Sequence, residues 1–217
     1  MKKVLLLLAN GFETYEACVF IDVIGWNLVD GDHHTQLFTC GLTKEVKTTF
    51  DQRMVVDHTI DQIQVDDFDA LAIPGGFEEY GFYQDAYDEK FLNLIRAFHE
   101  KGKIIASICV AALPVGKSGV LKGKQGTTYN KKNGIRQETL RGFGVLVKNE
   151  PVVMDDRIIT SWNPSTAMDV AFLLLELLTT KEKADHIKEI MGFGENLTTR
   201  HTNDTKKNRQ ELITQRH

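Results

Sequence analysis

The chain has 217 residues, 42% of them hydrophobic and 26% charged, which is the composition of one large domain with a well-buried core plus an appendage. With 26 Lys and Arg against 30 Asp and Glu, the net charge of −4 disfavours nucleic acid and anionic lipid as partners and leaves small molecules or proteins. No apolar run approaches the roughly 20 residues of a membrane span, and VLLLLA after Met1-Lys2-Lys3 is too short and lacks a leader's cleavage site, so a cytoplasmic protein with no membrane partner is expected.

In chain order, Val4–Ala9 is a continuous apolar run ending at Asn10-Gly11, as a strand buried on both faces ends, and Glu13–Asp30 carries helix-spaced apolar residues. Thr35–Cys40 alternates as a strand, and Val46–Val56 reads as a hairpin or short edge strands. Phe68–Ile73 is a buried strand stopped by Pro74-Gly75-Gly76. Asp88–Lys101 is an amphipathic helix with Gly102 as its C-terminal signal. Lys103–Ile108 is again a buried strand, followed by a helix from Val110 to Gly116, so Cys109 stands at the turn between them. Gln125–Tyr129, Val145–Lys148, Val152–Met154 and Ile158–Ser161 read as short strands, Ser165–Leu178 as an apolar helix and Lys181–Met191 as a last helix. Asn196–His217 is polar and reads as a solvated tail. Strands alternating with helices imply layered α/β architecture on a mainly parallel sheet, with residues 1–180 as the domain and 181–217 as a helical and polar extension.

In such a sheet the ligand crevice lies outside the carboxyl ends of the strands, which brings the loops after Ala9, Ile73 and Ile108 together. Those loops hold Glu13 and Glu16, Gly75 and Gly76, and Cys109. A cysteine at a strand-to-helix turn is presented to solvent, and the helix N-terminus favours its thiolate, which makes Cys109 the candidate reactive thiol. By spacing alone, Glu13, Glu16, Glu78 and Glu79 read as solvated loop carboxylates, and Cys18 and Cys40 as core residues. Three widely spaced cysteines match neither a disulfide framework nor a zinc site, and no metal is expected. All seven histidines read as surface residues away from the crevice.

The motifs LANGFETYEA (Leu8–Ala17), AIPGGF (Ala72–Phe77), AxICxAA (Ala106–Ala112) and TSWNPSTAMDVAFLLLELL (Thr160–Leu178) resemble the DJ-1/PfpI (ThiJ) superfamily with its glutamine amidotransferase-like fold. The resemblance runs from about Met1 to Leu178 and implies a flavodoxin-like three-layer sandwich, commonly a homodimer, with a nucleophile-elbow cysteine. By position it implies Cys109 as nucleophile, Glu16 as the carboxyl hydrogen-bonded to it, and the N–H groups of Gly76 and Val110 as the oxyanion site, with Gly75 and Tyr129 on the site wall. Val110 stands where members proposed to be proteases place a histidine, and Tyr129 in GTTYNKK where many DJ-1-like members offer one, so hydrolysis of amides is disfavoured. The expected activity is cofactor-independent and glyoxalase- or deglycase-like, on small reactive carbonyls. The alternative is a stress sensor or chaperone whose Cys109 is oxidised.

Overall fold

A computed structural model of the chain describes residues 1–193. The expected solvated tail, with His201 and His217, lies outside the described residues. The central sheet has seven strands. The first five in the chain that join it are β1 (Lys2–Leu8), β2 (Thr35–Gly41), β5 (His58–Thr59), β6 (Ala70–Ile73) and β7 (Ile104–Ser107). They are completed by β10 (Val152–Asp155) and β11 (Ile158–Ser161), in the spatial order β10-β11-β7-β6-β1-β2-β5. Every neighbouring pair is parallel except β10–β11, a hairpin closed at Asp156, which takes a left-handed φ of 56°. Val46–Val56 forms a separate hairpin of β3 (Glu45–Lys47) and β4 (Arg53–Val55).

The apolar runs become strands because both of their faces are covered: Val4–Leu8, Ala70–Ile73 and Ile104–Ser107 are buried throughout. On one side α1 (Thr14–Asp30), α6 (Ala167–Leu178) and α7 (Lys181–Ile190) pack on one another, and Lys183 reaches Asp32 at 2.9 Å. Ala184 and Ile187 bury the inner face of α7. Elsewhere α3 (Glu89–Glu100), capped by Asp88, packs on β6, β7 and α4 (Ala112–Lys117). The result is the three-layer flavodoxin-like sandwich that the motifs imply.

Two short helices escape the sequence pattern: α2 (Phe82–Ala86) and α5 (Ile135–Gly142). Each is too short for a full apolar period to show. The expected strands at Gln125–Tyr129 and Val145–Lys148 shrink to β8 (Gln125–Gly126) and β9 (Leu146–Val147), paired with each other outside the main sheet. Tyr129 is therefore a loop residue. Cys40 is buried as expected, but Cys18 is only half-buried, because the inner stripe of α1 runs through Glu16, Ala17, Phe20, Val23 and Ile24 and leaves position 18 at its border.

The strand order reverses between β1 and β6, where chain connections leave in opposite directions, and the crevice opens at that switch point. Leu6 lies opposite Ala72, and Ile73 opposite Ser107, so the chains leaving the three strands emerge side by side. They are then stitched by backbone bonds: Glu13 N–H to the Gly75 carbonyl at 2.8 Å, Phe77 N–H to Gly11 at 2.9 Å and Ile108 N–H to Ile73 at 3.1 Å. Asn10 adds a side-chain clamp, bonding the Asp85 carboxylate through its backbone and side-chain N–H groups at 2.9 and 2.8 Å.

Such close stitching leaves no room for a side chain at Gly76. A β-carbon there would lie 2.3 Å from the Gly11 carbonyl oxygen and 2.4 Å from the Phe82 ring. Gly76→Ala is expected to cost about 1–3 kcal/mol through this overpacking, seen as a thermal midpoint lowered by several degrees. An unchanged midpoint in a scanning-calorimetry comparison with the parent chain would show that the loops are not held this tightly.

Candidate active site

Cys109 begins a single 3-10 turn (Cys109–Ala111) that leads from β7 into α4. Its φ of 58° lies in the left-handed region, which a residue with a side chain adopts only where its surroundings hold it. Those surroundings are specific. The Thr128 hydroxyl donates to the Cys109 carbonyl at 2.8 Å, and Ala111 N–H donates to the Ile108 carbonyl at 3.0 Å. The backbone is thus an elbow at the end of β7, and the Val110 N–H acts to lower the thiol's pKa.

Glu16 lies in the first turn of α1 and is wholly buried. Its Oε2 accepts the Gly75 N–H at 2.7 Å, and its Oε1 has no partner of ordinary hydrogen-bond geometry among the described residues. The Cys109 thiol is a neighbour of this carboxyl, and each acts on the other's proton. Burial pushes the Glu16 carboxyl up to about 8; the Gly75 N–H opposes the rise, the charge of Glu13 adds to it, and the Cys109 hydrogen bond opposes it. Glu16 is therefore a neutral acid at pH 7. Gly75 serves this contact from behind: a β-carbon there would come 2.8 Å from Oε2 and 3.1 Å from the Cys109 β-carbon.

The thiol differs from the sequence expectation of a simply acidified cysteine. Burial first, and then the charge of Glu16 whenever it is ionised, push the Cys109 thiol up, while the Val110 N–H pulls it down. With Glu16 protonated its charge is absent, and the remaining contest is between burial and the dipoles of the elbow. Thiol and carboxyl behave as one buried pair for which a first ionisation makes the second costly. Cys18 is raised by burial and then by Asp22, and Cys40 is pushed by burial to about 12.

A cavity of about 230 Å³ opens over this pair, with Cys109, Glu16, Gly76, Val110 and Tyr129 on its wall. Gly75 stands behind Glu16. Three loop carboxylates also line the cavity: Glu13 is half-buried, with its pKa raised by burial, whereas Glu78 and Glu79 line its rim and remain exposed, as spacing expects. The sequence reading missed Tyr83, Lys132 and Arg136, which close the far side. Arg136 bonds Glu78 at 2.7 Å across 58 residues of sequence, and its guanidinium lies 5.0 Å from the Tyr83 ring centre. Only Gly134 before Ile135, as a helix-start signal, pointed towards α5 and so towards Arg136. None of the five described histidines reaches the cavity wall, and no cluster of three or more His, Cys, Asp or Glu suited to a metal gathers among the described residues.

A doubly wound α/β sandwich with a cysteine on a strand-to-helix elbow at its switch point defines the class of protein. The DJ-1/PfpI family model matches residues 2–177, and the chain belongs to that family. It is 30% identical over 190 residues to Protein dj-1beta of Drosophila melanogaster, covering 86% of this chain and 94% of that one. The crystal structure of the Drosophila protein superposes with a TM-score of 0.76 at 27% identity, over 88% of this chain and 97% of the other. Deglycase PfpI of Pyrococcus furiosus is 31% identical over 163 residues, 75% of this chain and 90% of the relative. Protein DJ-1 homolog A of Arabidopsis thaliana is 29% identical over 212 residues, 94% of this chain, and this chain spans only 51% of its length.

The Glu16 carboxyl gives a signed expectation for stability. Its folded pKa of about 8 lies above the unfolded 4.5, so the folded state holds the proton more tightly. This contribution is full below pH 4.5 and is lost as pH rises towards 8. Urea midpoints are expected to fall between pH 5.5 and pH 8.5 in the parent chain, and to fall less in Glu16→Gln. Parallel slopes for the two proteins would place Glu16 in a solvated environment instead.

Proposed function

We propose that this protein is a cofactor-independent cysteine enzyme acting on small reactive carbonyls of the glyoxal type, with Cys109 as nucleophile and Glu16 as proton carrier. The observation that supports it best is the wholly buried Glu16, neutral at pH 7, with one oxygen fixed by Gly75 and the other free beside an elbow thiol. A carboxyl so placed can give and take a proton near neutral pH, which a solvated glutamate does poorly. The similarity to a protein named a deglycase is in keeping with carbonyl chemistry.

Once the pair has given one proton to solvent, the thiolate adds to the aldehyde carbon of a 1,2-dicarbonyl: the S–C bond forms, the C=O π bond breaks, and Glu16 passes its own proton to the oxygen and becomes a carboxylate. The N–H groups of Gly76 and Val110 receive that oxygen as charge develops on it. Glu16 as carboxylate then takes the aldehyde hydrogen as a proton and returns it to the adjacent carbonyl carbon, while the hydroxyl proton on the attacked carbon passes to the neighbouring oxygen, leaving a thioester beside a hydroxyl. Water releases the hydroxy acid and restores the thiol. One carbon is oxidised and its neighbour reduced, so the balance needs one water and no external oxidant. Tyr129, also on the wall, offers a hydroxyl donor in this scheme.

One observation favours a second reading. A protonated Glu16 with a free oxygen is also a donor for a sulfinate on Cys109, as an oxidation sensor requires. The protein organisation that accompanies either reading is a site-bearing domain over residues 1–180, an extension over 181–217, and a homodimer. Tyr15, Trp26 and Val29, exposed along one face of α1, support a covered surface there.

Methylglyoxal consumption separates the readings, since a sensor consumes one oxidant per site. The parent chain is expected to turn over many equivalents, Cys109→Ala none, and Glu16→Gln or Glu16→Leu at least about 100-fold fewer. No turnover, together with stoichiometric gain of two oxygens at Cys109 by intact mass, would replace the enzyme by the sensor. At limiting iodoacetamide Cys109 is expected to label before Cys18 and Cys40, and Glu16→Leu to slow this labelling more than Glu16→Gln, whose amide still donates to sulfur. Preferential labelling of Cys18 would remove Cys109 from the central role.

A further inference from the structure

Tyr83 carries a hydroxyl that the proposed chemistry leaves unused. Its oxygen is buried and has no hydrogen-bond partner among the described residues, although a phenol is a strong donor and buried donors are nearly always bonded. The ring is held firmly. It lies between the Arg136 guanidinium, 5.0 Å from its centre, and the Tyr87 ring, 5.0 Å away at 33°, with Phe82 edge-on at 5.3 Å. Arg136 is in turn fixed by its 2.7 Å bond to Glu78. The Tyr83 side chain therefore has a set position on the wall of the cavity that contains Cys109, and a Cys109 charge lies near enough to its buried hydroxyl to raise the phenol's pKa.

We propose that Tyr83 is a substrate contact whose hydroxyl donates a hydrogen bond to the oxygen on the carbon next to the one attacked by Cys109, so that the site selects neutral 1,2-dicarbonyls. This rests on the carbonyl reading above and adds to it the residue that distinguishes a dicarbonyl from a simple aldehyde. The backbone N–H groups proposed for Gly76 and Val110 take the oxygen of the attacked carbon, and a second oxygen one carbon away needs a second donor. Burial holds the Tyr83 phenol above its usual range, so it remains a donor across the neutral range and is no base.

The charges around the cavity choose the neutral form. Glu13, Glu78 and Glu79 face Lys132 and Arg136, and Arg136 is already bonded to Glu78. An oxo-acid anion entering there meets an excess of carboxylate, whereas a neutral dicarbonyl carries no such penalty. A cavity of about 230 Å³ suits molecules of this small size better than a drug-sized ligand.

The test uses alkylation of Cys109, which needs no turnover. Iodoacetamide carries an oxygen on the carbon beside its reacting carbon, in the relation a dicarbonyl has; iodomethane has no oxygen; iodoacetate has a charged one. Rates at Cys109 are followed by peptide mass in the parent chain and in Tyr83→Phe, which removes only the unpartnered hydroxyl and is expected to melt no lower than the parent. Tyr83→Phe is expected to slow iodoacetamide about three- to tenfold, the effect of one hydrogen bond, and iodomethane less than twofold. The parent is expected to prefer iodoacetamide to iodoacetate by a larger ratio than a free thiol shows. Equal effects on iodoacetamide and iodomethane, or no effect on either, overturn the proposal. Failure of the parent to consume methylglyoxal overturns the enzyme reading separately, because the alkylation ratios still decide what Tyr83 contacts.

Discussion

The bond from the Gly75 N–H to the Glu16 carboxyl, 2.7 Å long and wholly buried, is the contact on which the site depends. It joins the first turn of α1 to the loop after β6, and it fixes one oxygen of a carboxyl that has no water around it. Burial holds the acid in its neutral form. Were the carboxyl solvated it would be an ordinary anion at pH 7 and would repel a thiolate rather than share a proton with it.

Around that contact the molecule accepts several local costs together. Cys109 holds a left-handed φ, Glu16 keeps an oxygen without an ordinary partner, and the Tyr83 hydroxyl is buried unbonded. Each runs against what stability alone selects, and all three face one cavity. The sandwich can carry them because β1, β6 and β7 are buried along their lengths and the loops leaving them are bound backbone to backbone. Strained geometry persists where the scaffold determines it many times over.

The two sides of the cavity come from different kinds of element. One side is built at the ends of central strands, where the loops after β6 and β7 and the first turn of α1 carry Gly76, Cys109 and Glu16 and are bonded to one another. The far side is built from α2 and the start of α5, through Tyr83 and Arg136, and is tied together by an ion pair and a ring stack. In the proposed scheme chemistry sits at the ends of the central strands and substrate selection on short helices joined by loops. A sandwich of this kind can vary its substrate without disturbing its reactive pair.

The longer strands, the long helices, the mainly parallel sheet and the elbow position of Cys109 were legible in the sequence, because each is a local pattern: an unbroken apolar run, a helical period, a Pro-Gly-Gly stop; the two-residue β5, β8 and β9 are too short to show one. The motif resemblance reached further and singled out Glu16 from the other loop carboxylates, which spacing alone could not do. The protonation state of Glu16 was decided only by tertiary packing, since burial is contributed by elements far apart in the chain. The partial burial of Glu13 belongs to the same class of fact. So do Tyr83 and Arg136, for the Arg136–Glu78 bond spans 58 residues and α2 and α5 are too short to announce themselves by period. The sequence by itself determined which residue types stand at the ends of which strands; the tertiary structure decided which of them lose their water, and desolvation is what turns a carboxyl, a thiol and a phenol into a site.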